Sequence, residues 1–316
     1  MDGDRGVRGA GRLPGQAAPG APRRHRAQRH PAARVSLLVV GSIALDTLEG
    51  PYGRVADELG GSAVYFALAA SLVGPVAMVA PVGEDAVERV RGIFADRSVD
   101  LSRLEVLAAP TYRWSALDVG GRNRDLGSRD SIYDAWTPRP PPDFRGWAFA
   151  GSMRPDRQLE ALRALAGAEL LAADAMLSYT LAQPSALAGI LETAGWFFCN
   201  QAELAAVGGQ DPQDFRRRHG LQGLVLKAGA QGVTVYSEGD VVHAEALPAR
   251  VVDTTGAGDA LAGAFLARWQ ATSDLNESLR WGVAAAALAI EDVGVRSLAR
   301  ATAQSLSRRA GSPGAR

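Results

Sequence analysis

Asp253-Thr254-Thr255-Gly256-Ala257-Gly258-Asp259 lies between the strand-like Arg250-Val251-Val252 and an apolar stretch, Ala260 to Trp269, with helical character. Small residues there let the backbone come close to a ligand. The start of a helix points free N–H groups at whatever occupies that space, which makes the segment a candidate anion site. Asp259 falls in the first helical turn, where a carboxylate beside bound anion can take a proton from a hydroxyl. The structural alternative is a helix capped by Thr255, its glycines serving only a tight turn.

Outward from this segment, short apolar runs alternate with helical ones. Ser36 to Val40 reads as a buried strand, Ser62 to Val73 as a helix opened by Gly60-Gly61, Val76 to Val79 as a strand and Glu84 to Asp96 as a helix. Tyr112 to Asp143 is polar and broken. The alternation then resumes with strands at Trp147 to Ala150, Leu170 to Ala173, Trp196 to Cys199, Leu224 to Lys227 and Val233 to Tyr236. Helices fall at Arg157 to Ala166, near Ser185 to Thr193 and after Gln201, and two more close the domain at Ala257 to Trp269 and Leu275 to Ile290. Such an order predicts an α/β domain with a mostly parallel central sheet covered on both faces. Ligands of such sheets bind past the carboxyl ends of the strands. Residues 1–34 are rich in Arg, Pro, Gly and Ala with few large apolar side chains, the composition of a disordered extension. The domain is expected over 35–304, with a frayed tail over 305–316.

Composition narrows the chemistry. The chain of 316 residues has zero formal net charge, so nothing global argues for a nucleic-acid partner. No apolar run has the length of a membrane span. The lone Cys199 excludes an intrachain disulfide and fits a cytoplasmic setting. Of 34 basic residues only Lys227 is a lysine, and Leu226 stands where a P-loop needs glycine before its lysine. No G-x-G-x-x-G is present, which counts against a dinucleotide enzyme.

Three further segments sit just after expected strands. Asp46, in Gly41-Ser42-Ile43-Ala44-Leu45-Asp46, is placed to accept hydrogen bonds from substrate hydroxyls or to cap a turn, and the Gly60-Gly61 pair allows a ligand against the backbone. Asn200-Gln201-Ala202-Glu203 reads as a helix N-terminus with Glu203 favourable to the dipole. Lys227-Ala228-Gly229-Ala230-Gln231-Gly232 is a glycine turn between two strands, with Lys227 either solvated or reaching a phosphate.

Taken together and in this order, over roughly Val35 to Arg300, these motifs resemble the ribokinase (PfkB) family of sugar and nucleoside kinases, through its D-T-x-G-A-G-D and N-x-x-E signatures. The resemblance implies a ribokinase-like three-layer α/β/α domain with a small β-lid, here built from segments near 48–59 and 111–119. It implies transfer of the γ-phosphate of ATP to a hydroxyl of a sugar or sugar-like molecule. Asp259 would be the base, and Gly256, Ala257 and Gly258 the anion hole. Asp46, Gly60, Gly61 and the residue at Tyr65 would bind the acceptor. Tyr65 replaces the asparagine of many sugar kinases, and its ring is left open to stack on a sugar or base or to fill the core. Asn200 and Glu203 would organise Mg²⁺ through water, with Lys227, Gly229, Gly232 and Thr255 near the nucleotide. Asp253 and Thr255 are candidates for a potassium site. A nucleoside kinase, or a catalytically silent binding protein of the same fold, are the alternatives, and the lid edge is the expected surface for a homodimer.

Overall fold

The computed structural model describes residues 36–121 and 123–311. The expectation for residues 1–34 lies outside these. The strands among the described residues are β1 (Leu37–Val40), β2 (Ala44–Gly50), β3 (Gly53–Gly60), β4 (Val76–Gly83), β5 (Val99–Leu107), β6 (Tyr112–Asp118), β7 (Asn123–Arg129), β8 (Trp147–Ala150), β9 (Leu170–Asp174), β10 (Trp196–Asn200), β11 (Gly223–Lys227), β12 (Val233–Ser237) and β13 (Val241–Ala244). The helices are α1 (Ser62–Ala70), α2 (Val87–Ile93), α3 (Pro155–Ala164), α4 (Leu177–Ala182), α5 (Pro184–Thr193), α6 (Gln201–Ala206), α7 (Pro212–Arg218), α8 (Ala257–Thr272), α9 (Leu275–Ala289), α10 (Arg296–Arg300) and α11 (Ala303–Gly311).

The main sheet runs β13-β12-β11-β10-β9-β8-β1-β4-β5, parallel from β11 through β5, with β12 and β13 added antiparallel. Its central strands are continuously apolar because both faces are covered. Alternate residues serve different cores: Leu37, Val39, Phe149 and Phe198 face one apolar cluster, Leu38, Val40, Phe197 and Cys199 the other. The first cluster takes its helical side from α1, α8 and α9, the second from α3 and α5. That is the three-layer arrangement. Helix α8 is buried along Ala260–Ala267, as an all-apolar helix must be. Its Gly263 lies against the Phe66 carbonyl of α1, where a Cβ would not fit, so small size sets the α1–α8 approach.

From β1 the chain first builds outward through β4 and β5, then returns through β8 to build the other way. The order therefore reverses beside β1, and the crevice beyond its carboxyl end is where this class of sheet binds ligands. Over that end stands a second sheet, β3-β2-β6-β7. It is larger than the lid expected from sequence. It starts at Ala44 and includes β7, a mostly polar strand whose one large apolar residue, Leu126, is exposed, so the sequence gives no burial signal. Arg296 of α10 bonds Glu58 of β3 at 2.7 Å and Arg113 of β6 bonds Asp85 at 3.1 Å, which ties the lid to the main domain, while Arg113 also pairs with Asp57 within the lid.

Two local expectations change. Arg250–Val252 pairs with no strand; the Val252 N–H donates to the Ile290 carbonyl, fixing the entry to α8 from the end of α9. The tail expected to fray from Ser305 is helical to Gly311, with Leu306 and Ala310 buried and Arg309 paired with Glu291 at 2.8 Å. The pattern was hidden because only two apolar residues, four apart, carry its contact.

Candidate active site

The candidate residues converge on the carboxyl ends of β1, β9, β10 and β11 and on the start of α8. Gly256 caps α8 in the left-handed conformation, φ 71°, which favours glycine. It also has no room for a side chain, since a Cβ would overlap the Tyr65 ring. Asp253 holds the loop from beneath. Its Oδ1 accepts from the Thr255 N–H (3.0 Å) and Thr255 Oγ1 (2.7 Å), and its Oδ2 accepts from the Gly294 N–H (2.9 Å). From the lid, Asn123 Nδ2 donates to Thr255 Oγ1 at 2.7 Å, tying β7 to the anion loop. The Asp253 role visible here is that of a loop clamp.

Asp259 occupies the first turn of α8, and its buried Oδ1 has no hydrogen-bond partner in the protein. Beside it stands Asp174, the last residue of β9 and 4% exposed. The two carboxyl groups lie close enough for each to act on the titration of the other. Burial pushes Asp174 well above the usual carboxylate range, and the Asp259 charge adds to this. Burial raises Asp259 only to about 6, because Lys227 opposes the shift. The environments push the pair apart: burial favours the proton on Asp174, and Lys227 favours the charge on Asp259.

Lys227 ends β11 in register with Asn200 and turns into the site. Its Nζ lies 2.9 Å from where a Cβ on Gly258 would stand. Glu203, Asp174 and Asp259 surround the ammonium and raise its pKa against the burial that would lower it. The side chain lies along the Gly258 backbone rather than out in solvent. Asn200 and Glu203 form a capping box on α6: Asn200 Oδ1 accepts from the Glu203 N–H at 2.9 Å and Glu203 Oε2 from the Asn200 N–H at 2.7 Å. The helix-start reading of this motif is therefore correct as local structure, and it also fixes a carboxylate, 7% exposed, near Lys227.

On the lid side, Asp46 is 2% exposed with an unpartnered Oδ1. A Cβ on Gly60 would overlap its Oδ2, and one on Gly61 (φ 97°) would strike the Ser42 carbonyl. The glycine pair thus makes room for a protein carboxylate and a tight helix entry. Burial raises Asp46 well above its ordinary value, with Asp253, Glu58 and Asp259 adding in the same direction and no cation opposing. Tyr65 is 1% exposed and its ring fills the core between Gly256 and Gly60, so it offers no open face for stacking. Its hydroxyl has no partner in the protein, and the charges of Asp253, Asp46, Asp259 and Glu58 all act on it. Gly229 and Gly232 form the β11–β12 turn; Gly229 is exposed, and Gly232 packs beneath the Ala244 carbonyl at the end of β13.

Sequence reasoning missed Asp174, Glu58 and Asn123. Asp174 was findable: it follows an apolar strand run directly, as the lid-side carboxylate follows β1. Glu58 and Asn123 lie in lid strands with no distinguishing pattern. Arg113 and Trp114 are both engaged by carboxylates, Trp114 Nε1 donating to Asp125 at 3.1 Å. Buried polar atoms of Asp46, Tyr65, Asp174 and Asp259 thus lack partners in the protein, and the Asp259 charge acts on the other three groups. Together with a lysine over a glycine loop, this donor set fits a phosphate-bearing nucleotide at one end and a hydroxyl-bearing molecule at the other. Among the described residues, no three His, Cys, Asp or Glu side chains group to hold a metal, and no helix is long and apolar enough to cross a membrane.

Comparison with known proteins gives the family and the fold. Residues 37–302 match the model of the pfkB family carbohydrate kinases. Cytidine kinase of Thermococcus kodakarensis is 28% identical over 264 residues, covering 79% of this chain and 94% of its own. In fold, the chain resembles the Burkholderia thailandensis nucleoside kinase solved with inosine, at a TM-score of 0.74 and 20% identity over 87% of this chain and 96% of that one. It also resembles a ribokinase from Cryptococcus neoformans solved with ADP, at a TM-score of 0.69 and 19% identity over 87% and 99%.

Proposed function

The chain belongs to the pfkB family of carbohydrate kinases, and we propose that it transfers the γ-phosphate of ATP to a hydroxyl of an uncharged sugar-containing acceptor. The observation that carries this reading is the buried Asp259 carboxylate, with an Oδ1 that has no partner in the protein, in the first turn of the helix that Gly256 caps. Asp259 takes the acceptor proton as the hydroxyl oxygen attacks phosphorus. The Gly256, Ala257 and Gly258 N–H groups and the α8 dipole stabilise charge on the phosphoryl oxygens. Asp46 and the Tyr65 hydroxyl orient the acceptor, and the lid excludes water. Glu203 and Asn200 would hold Mg²⁺ through water, and the ion would offset phosphate charge. Asp253 and Thr255 are proposed for potassium, with the nucleotide bordered by Gly229 and Gly232.

The acceptor end supports an uncharged substrate. Asp46, Glu58, Asp253 and Asp259 are all acidic, and Arg296, the cation there, is already bonded to Glu58. Asp46, held neutral by burial, gives a phosphate or carboxylate on the acceptor no attraction, and the charges of Asp253 and Asp259 oppose one. The extended match to a cytidine kinase favours a nucleoside over a free sugar. A homodimer through the exposed lid edge and a cytoplasmic location complete the proposal; sedimentation of the purified protein tests the first.

The deciding experiment is ADP release with Mg²⁺-ATP and potassium against nucleosides, neutral sugars, sugar phosphates and sugar acids. Release with nucleosides or neutral sugars is expected. Preference for a phosphorylated or acidic acceptor would overturn the substrate class. ATP binding without release for any acceptor would favour a silent binding protein.

A further inference from the structure

Lys227 is the only lysine among 34 basic residues, every other being arginine. Where arginine serves at every other basic position, the remaining lysine marks a place that a guanidinium does not suit. The geometry gives a reason. Nζ stands 2.9 Å and Cδ 3.3 Å from the Cβ position of Gly258, so the chain lies flat against the anion loop. Among the described residues, no carboxylate lies within the 4.0 Å of an ion pair with this ammonium, and it makes no hydrogen bond, although Glu203, Asp174 and Asp259 all act on it from farther out. These carboxylates keep the lysine protonated and aimed without occupying it. A guanidinium is wider and forks toward carboxylates in pairs. Here it would collide with the loop or seize Asp259 or Glu203.

We propose that Lys227 is a catalytic residue, its ammonium touching the transferred phosphoryl oxygens from the Gly258 side of the loop. The inference rests on the phosphotransferase reading above. In the step, a bond forms from the acceptor oxygen to the γ-phosphorus while the bond from that phosphorus to the β-bridging oxygen breaks. The electron pair of the broken bond leaves with ADP, and the acceptor proton goes to Asp259. Lys227 gives up no proton; it offsets negative charge on the moving group, and the same contact draws that charge away from Asp259.

The test compares Lys227→Arg and Lys227→Met with wild type, folding being checked by thermal melting. Calorimetry with Mg²⁺-ATP and Mg²⁺-ADP reads the phosphate contact without turnover. Wild type is expected to prefer ATP, and Lys227→Met to lose ~10-fold or more of that preference, the scale of one charge-assisted hydrogen bond. In turnover, kcat should fall ~10²-fold in Lys227→Met, as for removal of one preorganised donor, and Lys227→Arg should not restore it. An arginine variant within ~3-fold of wild type, or an unchanged ATP preference in Lys227→Met, would overturn the inference and leave the lysine as a counterion to the carboxylates. If wild type transfers phosphate to no acceptor while its ATP preference depends on Lys227, the phosphate contact stands and the phosphotransferase reading falls.

Discussion

Replacing Tyr65 with phenylalanine removes one oxygen from the floor of the site and nothing else. The ring is 1% exposed and wedged between Gly256 and Gly60, and phenylalanine keeps that packing. The hydroxyl has no partner in the protein, and a buried polar group without one costs about 1–3 kcal/mol. Burial and the neighbouring carboxylates hold the phenol in its neutral form, so no charge is lost with it. The variant should therefore be more stable without ligand by about 1–2 kcal/mol, which is a rise in Tm of roughly 2–6 °C for a domain of this size. In the same protein, kcat/KM for the acceptor should fall by up to ~10-fold, the worth of one neutral hydrogen bond, while the KM for ATP stays put. Differential scanning calorimetry and acceptor-saturation kinetics measure the two halves. A variant less stable than wild type would refute the reasoning, because it would mean the hydroxyl is satisfied inside the protein. A more stable variant with unchanged acceptor kinetics would confine Tyr65 to the core.

The raised carboxylates fix a pH dependence of stability. Asp46, Asp174 and Asp259 keep protons in the folded state above the pH at which the unfolded chain loses them, so stability falls as pH rises from near 3.8 through the folded values. For Asp259, moved from 3.8 to about 6, the loss by neutral pH is about 3 kcal/mol; Asp46→Asn should likewise raise the ligand-free Tm at pH 7 but not at pH 4, and a Tm unchanged at both would contradict the burial argument. The rate has the opposite sign: kcat/KM should climb with pH and level off above about 6, as Asp259 becomes free to accept a proton. A flat profile between pH 5 and 8 would remove Asp259 from that role. Gly256→Ala should cost about 2–4 kcal/mol, combining a side chain at φ 71° with a displaced Tyr65 ring, and should weaken ATP binding; urea titration reads the first and calorimetry the second.

The α/β architecture was legible because its strands are short apolar runs between helical stretches, and burial on both faces of a parallel sheet writes that pattern strongly. Gly256 to Asp259 and Asn200 to Glu203 stood out because each is a compact motif at the start of a helix. The lid was half legible: β2 and β3 carry glycines and some apolar residues, but β7 (Asn123–Arg129) is an edge strand with mostly polar side chains and no periodicity. Asp174 was invisible as a partner of Asp259 because it lies 85 positions earlier, and only the sheet order brings β9 near α8. Lys227 was ambiguous for a related reason. A lysine at a strand end is solvated or functional according to what the next strand end presents, and here that is Asn200 and Glu203. Tyr65 in isolation reads equally as a stacking ring or a core residue, and the second holds once Gly256 is seen to lie against it.

The measurement that bears most directly on the central claim is acceptor-dependent ADP release by Asp259→Asn beside wild type, with ATP binding measured on both. A carboxamide keeps the size of the side chain but accepts no proton. ATP affinity should remain within a few-fold of wild type while turnover drops at least ~10²-fold, the lower range for loss of a positioned general base. Turnover close to wild type with ATP still bound would contradict the assignment of Asp259 as the base.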